Sequence, residues 1–411
     1  MMGAVAAFII IVVVITFLTA RYRFSPFLTL LAAALLFGIL TGMPEGMAVE
    51  GTAGAGRIFA LLGIPVFCGA VIAQVIRHEG FLDRIVGDLA SAVRIPPVVA
   101  GGAGFFLSIP LMCCITPFLV LAPLVAHMHP DRESASRLLY ITAFGSIISF
   151  VLLFPLPVVY AIVTTTGLQA AVPGYVRAAV PLSLLLLAGG MLLLGRDMPA
   201  IPPRRQSAAA VPRWRAWLPV LFPVILITAG ALIPPAAVIG NVHVALLAGA
   251  FAALAVAPSD FRGQALEKGT KHAGIIIFDL CGAGALGGVI AASGFAEEIF
   301  ALLGAWVPLL LIPFLLAAMI QTAQGSRVVT GVVTATVLAG TPVASLLPPV
   351  PLVLLIVAGT LVVSYVSDPY FWLVMRTTGD SLRGTLVRFT LPQAAAGIVL
   401  VCAASLLYAV S

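Results

Sequence analysis

Long, strongly apolar stretches recur along the whole chain, most of them without a charged side chain, and this constrains the fold more than any other feature of the sequence. They lie near residues 3–20, 26–42, 59–76, 96–112, 137–163, 175–195, 216–233, 239–257, 273–292, 305–320, 347–366 and 388–410. A helix crossing the hydrocarbon core needs about 20 apolar residues. Only helices and closed barrels satisfy every backbone polar group in lipid, and runs of this length are helical. The chain therefore reads as an all-α polytopic membrane protein with about 11–12 membrane segments. Charged residues make up 9% of the chain, against about a quarter in a soluble domain.

The net charge of +6 comes mostly from arginines between the apolar runs. It forms no concentrated basic face of the kind that binds nucleic acid. Arg196, Arg204, Arg205, Arg213 and Arg215 form its densest cluster, in a polar, proline-containing stretch. The positive-inside rule places that stretch in the cytoplasm and the chain in the plasma membrane. A division follows: a first membrane half over 1–195, a basic linker over 196–215 and a second half over 216–411. Residues 1–20 lack a basic n-region, so they are expected to be a retained first span, not a signal peptide. Cys68, Cys113, Cys114, Cys281 and Cys402 all lie in apolar runs, without the spacing of a metal site or disulfide framework.

The halves share a register. Val75-Ile76, Gly80-Phe81, Ile85, Gly145 and Pro155 reappear 214 residues later as Val289-Ile290, Gly294-Phe295, Ile299, Gly359 and Pro369. Repeated halves with helices broken at corresponding places are characteristic of secondary transporters, whose sites lie at the breaks.

Three segments of the second half carry polar chemistry at membrane depth. The first runs from Asp279 through the glycines Gly282, Gly284 and Gly287. Its spacing imitates a dinucleotide fingerprint, but no strand or soluble βαβ unit surrounds it. Two readings stand: close helix packing, or an unwound segment beside a substrate. The second is Gln321-Thr-Ala-Gln324-Gly325-Ser326-Arg327. An arginine at bilayer depth costs roughly 2.5–3.5 kcal/mol on insertion scales. Gly325 permits a break, the following half-helix presents free N–H groups, and Arg327 offers a fork for a carboxylate. The alternatives for Arg327 are an interfacial position or a structural pair, with Asp279 as one partner. The third is Ser364-Tyr-Val-Ser367-Asp368-Pro369-Tyr370-Phe-Trp372, where Pro369 breaks the helix beside Ser367 and Asp368. An interfacial aromatic belt is the competing reading. No nucleophile–base pair or metal-ligand cluster is evident, so an enzyme is not expected.

These segments resemble the gluconate permease (GntP-type) family of the wider ion-transporter superfamily. Gly282 to Gly294 is similar to the family's glycine-rich segment, and Gln324-Gly325-Ser326 through Thr334-Ala335 to its Gly-Ser-Ala-Thr-Val-Ala motif. Ser364 to Leu373 resembles its Ser-His-Val-Asn-Asp-x-Gly-Phe-Trp-Leu motif. The resemblance implies two inverted-repeat halves with broken helices and re-entrant hairpins, a homodimer, and proton-coupled uptake of sugar acids. Departures fall in both halves. Ile148 to Pro157 stands where the family has a histidine- and proline-rich motif, and Ile115 stands where it has a glutamate. Arg327 follows Gly-Ser where the family has alanine, and Gln321 replaces an arginine.

The function expected is proton-coupled symport of a small organic anion, a sugar acid or other hydroxy-carboxylate. Export, antiport and a non-transporting scaffold are the alternatives. Gly325, Ser326, Arg327, Gln324, Ser367, Asp368, Gly282 and Gly284 are the expected substrate contacts. Asp279 is the expected proton carrier, a desolvated acid being able to cycle between charge states. No cofactor or metal is expected. Sodium is the alternative coupling ion, since freed carbonyls and hydroxyls also suit it.

Overall fold

Proline placement explains much of the segmentation. Pro26, Pro96, Pro157, Pro349 and Pro369 each open a helix, where the missing N–H costs nothing and φ is already set. The computed structural model describes residues 3–18, 25–78, 80–92, 95–126, 128–129, 131–196, 211–233, 235, 238–303, 307–339, 341–365 and 367–410, among which no strand occurs. The first half comprises α1 (Ala4–Phe17), α2 (Pro26–Thr41), α3 (Thr52–Ile76), α4 (Phe81–Ala92), α5 (Pro96–Leu111), α6 (Ile115–Ala126), α7 (Arg132–Leu152), α8 (Pro157–Thr165) and α9 (Val172–Leu194). The second comprises α10 (Arg213–Leu232), α11 (Val242–Val256), α12 (Arg262–Ala292), α13 (Phe295–Leu303), α14 (Ile312–Gln324), α15 (Arg327–Ala339), α16 (Pro342–Leu346), α17 (Pro349–Val362), α18 (Pro369–Thr378), α19 (Leu382–Thr385) and α20 (Leu391–Val410). Among the described residues, five helical stretches have the length and apolarity to cross a bilayer: Met47–Ile76, Arg132–Thr165, Gln169–Leu194, Arg262–Ala292 and Leu382–Val410. Of the basic linker, Arg204 and Arg205 lie outside the described residues, while Arg213 and Arg215 belong to the first turn of α10.

The halves repeat one another in three dimensions. Gly80 and Gly294 both take a left-handed φ, +85° and +75°, in the turns before α4 and α13. Gly145 on α7 lies against the carbonyl of Gly101 on α5, and Gly359 on α17 lies against α14, where an added Cβ would sit 2.6 Å from the Phe314 carbonyl. The expected Pro155–Pro369 match shifts. Pro157 opens α8 as Pro369 opens α18, at a spacing of 369 − 157 = 212. Pro155 lies in the preceding loop.

Contacts at the helix ends separate two faces. At one, Asp88 of α4 binds Arg213 (3.1 Å) and Trp217 (3.0 Å) of α10, and the rings of His78 and Phe261 stack at 4.3 Å. At the other, Glu298 of α13 accepts the Ala4 amide at 2.6 Å, and Gly288 of α12 meets the Glu50 carbonyl. The α5–α6 hairpin enters from the first face and the α14–α15 hairpin from the second. Among the described residues each half thus contributes five crossings, with α7–α8 and α17–α18 each counted as one broken crossing. An odd number inverts the second half relative to the first. Two apolar helices, α6 and α15, fall outside the twelve runs of the sequence because they are the return arms of hairpins. Conversely, the single run at 137–163 is divided by the break at 153–156. At the centre, α7 from Leu138 to Leu152 and α17 from Pro351 to Leu361 are buried on every side, as expected of helices apolar all round.

The glycine-rich segment of α12 is helical throughout, which removes the unwound-segment reading. Its glycines form a seam. An added Cβ on Gly282 would lie 3.2 Å from Leu30 and Phe27 of α2, and on Gly284 2.5 Å from the Gly54 carbonyl of α3. Small residues permit this close approach, and in lipid such packing is a main source of helix association.

Candidate functional site

The tip of the α14–α15 hairpin is built by Gly325. Its φ of +67° terminates α14, and its Cα packs on the chain break between α17 and α18, where an added Cβ would fall 2.6 Å from Asp368 Cα and against the Ser367 carbonyl. Only glycine meets both demands, the left-handed turn and the close approach. Ser326 follows, partly buried, and Arg327 begins α15. Arg327, Val328 and Val329 precede the first intrahelical bond, from the Thr330 amide to the Ser326 carbonyl, so their amides point towards the tip.

Asp368 caps α18, its Oδ1 accepting the Tyr370 amide at 2.8 Å. Its Oδ2 accepts the Ser364 hydroxyl and lies 3.2 Å from Arg327 Nη2. The same Nη2 donates to Gln393 Oε1 of α20 at 2.5 Å and to Ser364 Oγ at 3.2 Å. Arg327 and Asp368 are only 4% and 2% exposed, so the pair is neutral overall and sealed from bulk water. A buried pair of this kind contributes little net stability, but loss of one member leaves an expensive charge.

The hydrogen bonding of the pair is incomplete. Asp368 engages only Nη2 of the guanidinium, because its second oxygen is committed to the α18 cap. Arg327 Nε is buried without an acceptor, as are Gln321 Nε2 and the Thr334 hydroxyl. A buried donor without a partner costs about 1–3 kcal/mol, and such a group at a hairpin tip is a natural contact for a ligand.

The other hairpin reaches the same region through Phe118 of α6, whose ring lies 5.5 Å from that of Tyr370 on α18. Met112, with φ +50°, turns the α5–α6 tip. Cys114, also in the tip, is buried. Position by position the chemistry is lost in the first half: Ile115 begins α6 as Arg327 begins α15, Leu156 caps α8 as Asp368 caps α18, and Leu152 corresponds to Ser364. Tyr370 joins the halves through its hydroxyl, 2.9 Å from Ser146 Oγ on α7. No group of three or more His, Cys, Asp or Glu that could hold a metal occurs among the described residues.

Of the residues singled out in the sequence, Gly325, Ser326, Arg327, Ser367 and Asp368 converge here. The Gln324 side chain lies outside the described residues. Gly282 and Gly284 belong to the α12 seam instead, because an intact helix exposes no backbone to a ligand. Asp279 also lies on α12, and its Oδ1 accepts the Phe27 amide at 3.1 Å, capping α2. Arg327 pairs with Asp368 and not with Asp279, since α15 meets the α17–α18 break at the hairpin tip. Sequence reasoning missed Gln393 altogether, and it placed Ser364 and Gln321 in the candidate segments without naming them as contacts. Gln393 carried a usable signal, a lone amide in the apolar run 388–410, and it is fully buried.

The family described as GntP family permease matches residues 214–410. The chain is 24% identical to the low-affinity gluconate transporter of Escherichia coli K12, over 94% of each. It is 25% identical to the gluconate permease of Pseudomonas aeruginosa, over 97% of this chain and 95% of that one. An uncharacterized permease of Haemophilus influenzae is 22% identical over 93% of this chain and 88% of the relative. In structure the chain resembles the YdaH transporter of Alcanivorax borkumensis, whose topology is described as unusual, with a TM-score of 0.57 at 16% identity. That match covers 85% of this chain and 87% of the other.

Proposed function

We propose, from the premise that this chain is a divergent member of the GntP permease family, that it is a secondary transporter symporting a small carboxylate with protons. The observation that carries this reading is Arg327. It is a buried guanidinium at the tip of a broken hairpin, and Asp368 leaves its Nε–H without an acceptor. An incoming carboxylate would complete that fork. Adding an anion to a neutral buried pair leaves one negative charge uncompensated, which favours entry together with a cation.

Asp279 is the proposed proton carrier, as a half-buried carboxylate on α12 whose one described contact is the Phe27 amide. Sodium is the alternative coupling ion. Ile115, Leu152 and Leu156 stand at the positions corresponding to Arg327, Ser364 and Asp368 of the second half. The loss of those polar groups removes reward for a hydroxyl-rich chain, which supports a shorter or less hydroxylated acid than gluconate. The basic face of the molecule, with Arg77, Arg132, Arg196, Arg213 and Arg388, is proposed to be cytoplasmic.

Uptake of labelled lactate and gluconate into proteoliposomes, with and without an inward proton gradient, tests the reading. Gradient-driven uptake of a labelled acid, abolished in Arg327→Gln, is the expected result. Absence of uptake of either acid by well-folded protein overturns it. For the coupling role, Asp279→Asn should abolish concentrative uptake but spare exchange, and loss of both together assigns Asp279 to structure alone.

A further inference from the structure

Gln321 is a fully buried polar side chain of α14, four residues before the Gly325 turn. Its Oε1 accepts the Thr330 hydroxyl of α15 at 2.8 Å, which fixes the amide across the hairpin. Its Nε2 carries two N–H donors and has no acceptor. Thr330 is three residues beyond Arg327, about 4.5 Å along the same helix. The unanswered donor of Gln321 is thus held against α15 at Thr330, one helical turn beyond Arg327, whose Nε–H is also unanswered. Two unmet buried donors on the two arms of one hairpin suit an acceptor-only group with two oxygens.

We propose that Gln321 is the second carboxylate-binding residue of the site, one ligand oxygen taking Arg327 Nε–H and the other Gln321 Nε2–H. The proposal rests on the anion-transport reading and adds a named residue to it. Charge fits the assignment. Asp368 already neutralises Arg327, so the ligand needs a further donor that brings no additional buried charge, and a primary amide is such a donor. Placement fits as well. The amide is immobilised by Thr330, so little rotamer entropy is lost when the ligand binds.

Gln321→Glu is the discriminating variant. It keeps the size of the side chain and an oxygen to accept the Thr330 hydroxyl, and it exchanges the two free N–H groups for an oxygen that carries negative charge when ionised, an effect that the uncharged Gln321→Met separates from the loss of the donors. Initial rates of [14C]lactate and [14C]gluconate uptake are measured in proteoliposomes of wild type, Gln321→Glu and Arg327→Gln, with Gln321→Met as a second, uncharged variant. The expected result is a KM raised at least tenfold in Gln321→Glu and in Gln321→Met, with Vmax within twofold in Gln321→Met. Thr330→Val, which frees the amide without removing it, should raise KM less. A wild-type KM in either folded Gln321 variant, with transport still abolished in Arg327→Gln, overturns this proposal and leaves the anion-transport reading standing. Failure of the wild type to move either acid overturns both.

Discussion

Arg327 and Asp368 show what a buried pair does at the scale of single residues. With Asp368→Asn, the guanidinium loses its counter-charge in a site closed to water, and a cost of about 3–5 kcal/mol is expected. Arg327→Met together with Asp368→Leu should lose much less than the sum of the two single variants, because no charge is left unpaired. Thermal unfolding of the detergent-solubilised protein checks this, and strict additivity would refute it. The arginine was legible in the sequence because charge is rare in so apolar a chain. Its partner was not. Asp279 and Asp368 are both acids in the second half, and only the meeting of the hairpin tip with the α17–α18 break selects one. The same holds for Gln393, which reaches Arg327 from 66 residues away.

Among the elements, close approach decides which glycines matter. Gly325→Ala combines a left-handed φ with a collision against the Ser367 carbonyl. The hairpin tip must then retreat from Asp368, and transport should fall at least tenfold while the protein still folds. Gly145→Ala forces its Cβ onto the α5 backbone at the Gly101 carbonyl, at a cost of about 1–3 kcal/mol from overpacking. Gly189→Ala on α9 meets nothing within 4 Å and serves as the control, with unfolding temperature unchanged or slightly raised. The 214-residue offset read from the sequence finds Gly80 with Gly294 and Gly145 with Gly359. It misplaces the α7–α8 break because that region follows an offset of 212. A continuous α12 was equally beyond the sequence, since glycine spacing is the same in an unwound strand as in a packing seam. What separates the two is α2 and α3 lying within contact of it.

For the whole molecule, charge and topology have to agree. Arg77, Arg132, Arg196, Arg213 and Arg388 gather at the face where α4 meets α10, while Glu45, Glu50, Glu297 and Glu298 gather at the opposite one. Twelve apolar runs did not reveal this arrangement, because a re-entrant hairpin and a crossing are alike in hydropathy and differ only in where the chain emerges. The positive-inside bias, worth most over short loops, supports the proposed cytoplasmic placement of the basic face. On that proposal the α14–α15 hairpin carrying Arg327 would enter from outside and the α5–α6 hairpin from inside. Single cysteines at Arg196 and Glu297, both exposed, report this in a chain whose exposed Cys402 is replaced by serine. A membrane-impermeant maleimide should label Glu297→Cys in intact cells and Arg196→Cys only after permeabilisation. The reverse pattern would turn the molecule over and assign the charged hairpin to the cytoplasmic side. Because the halves are inverted, such a reversal would leave the geometry of the ion pair unchanged but would exchange the hairpin through which an external anion first meets it.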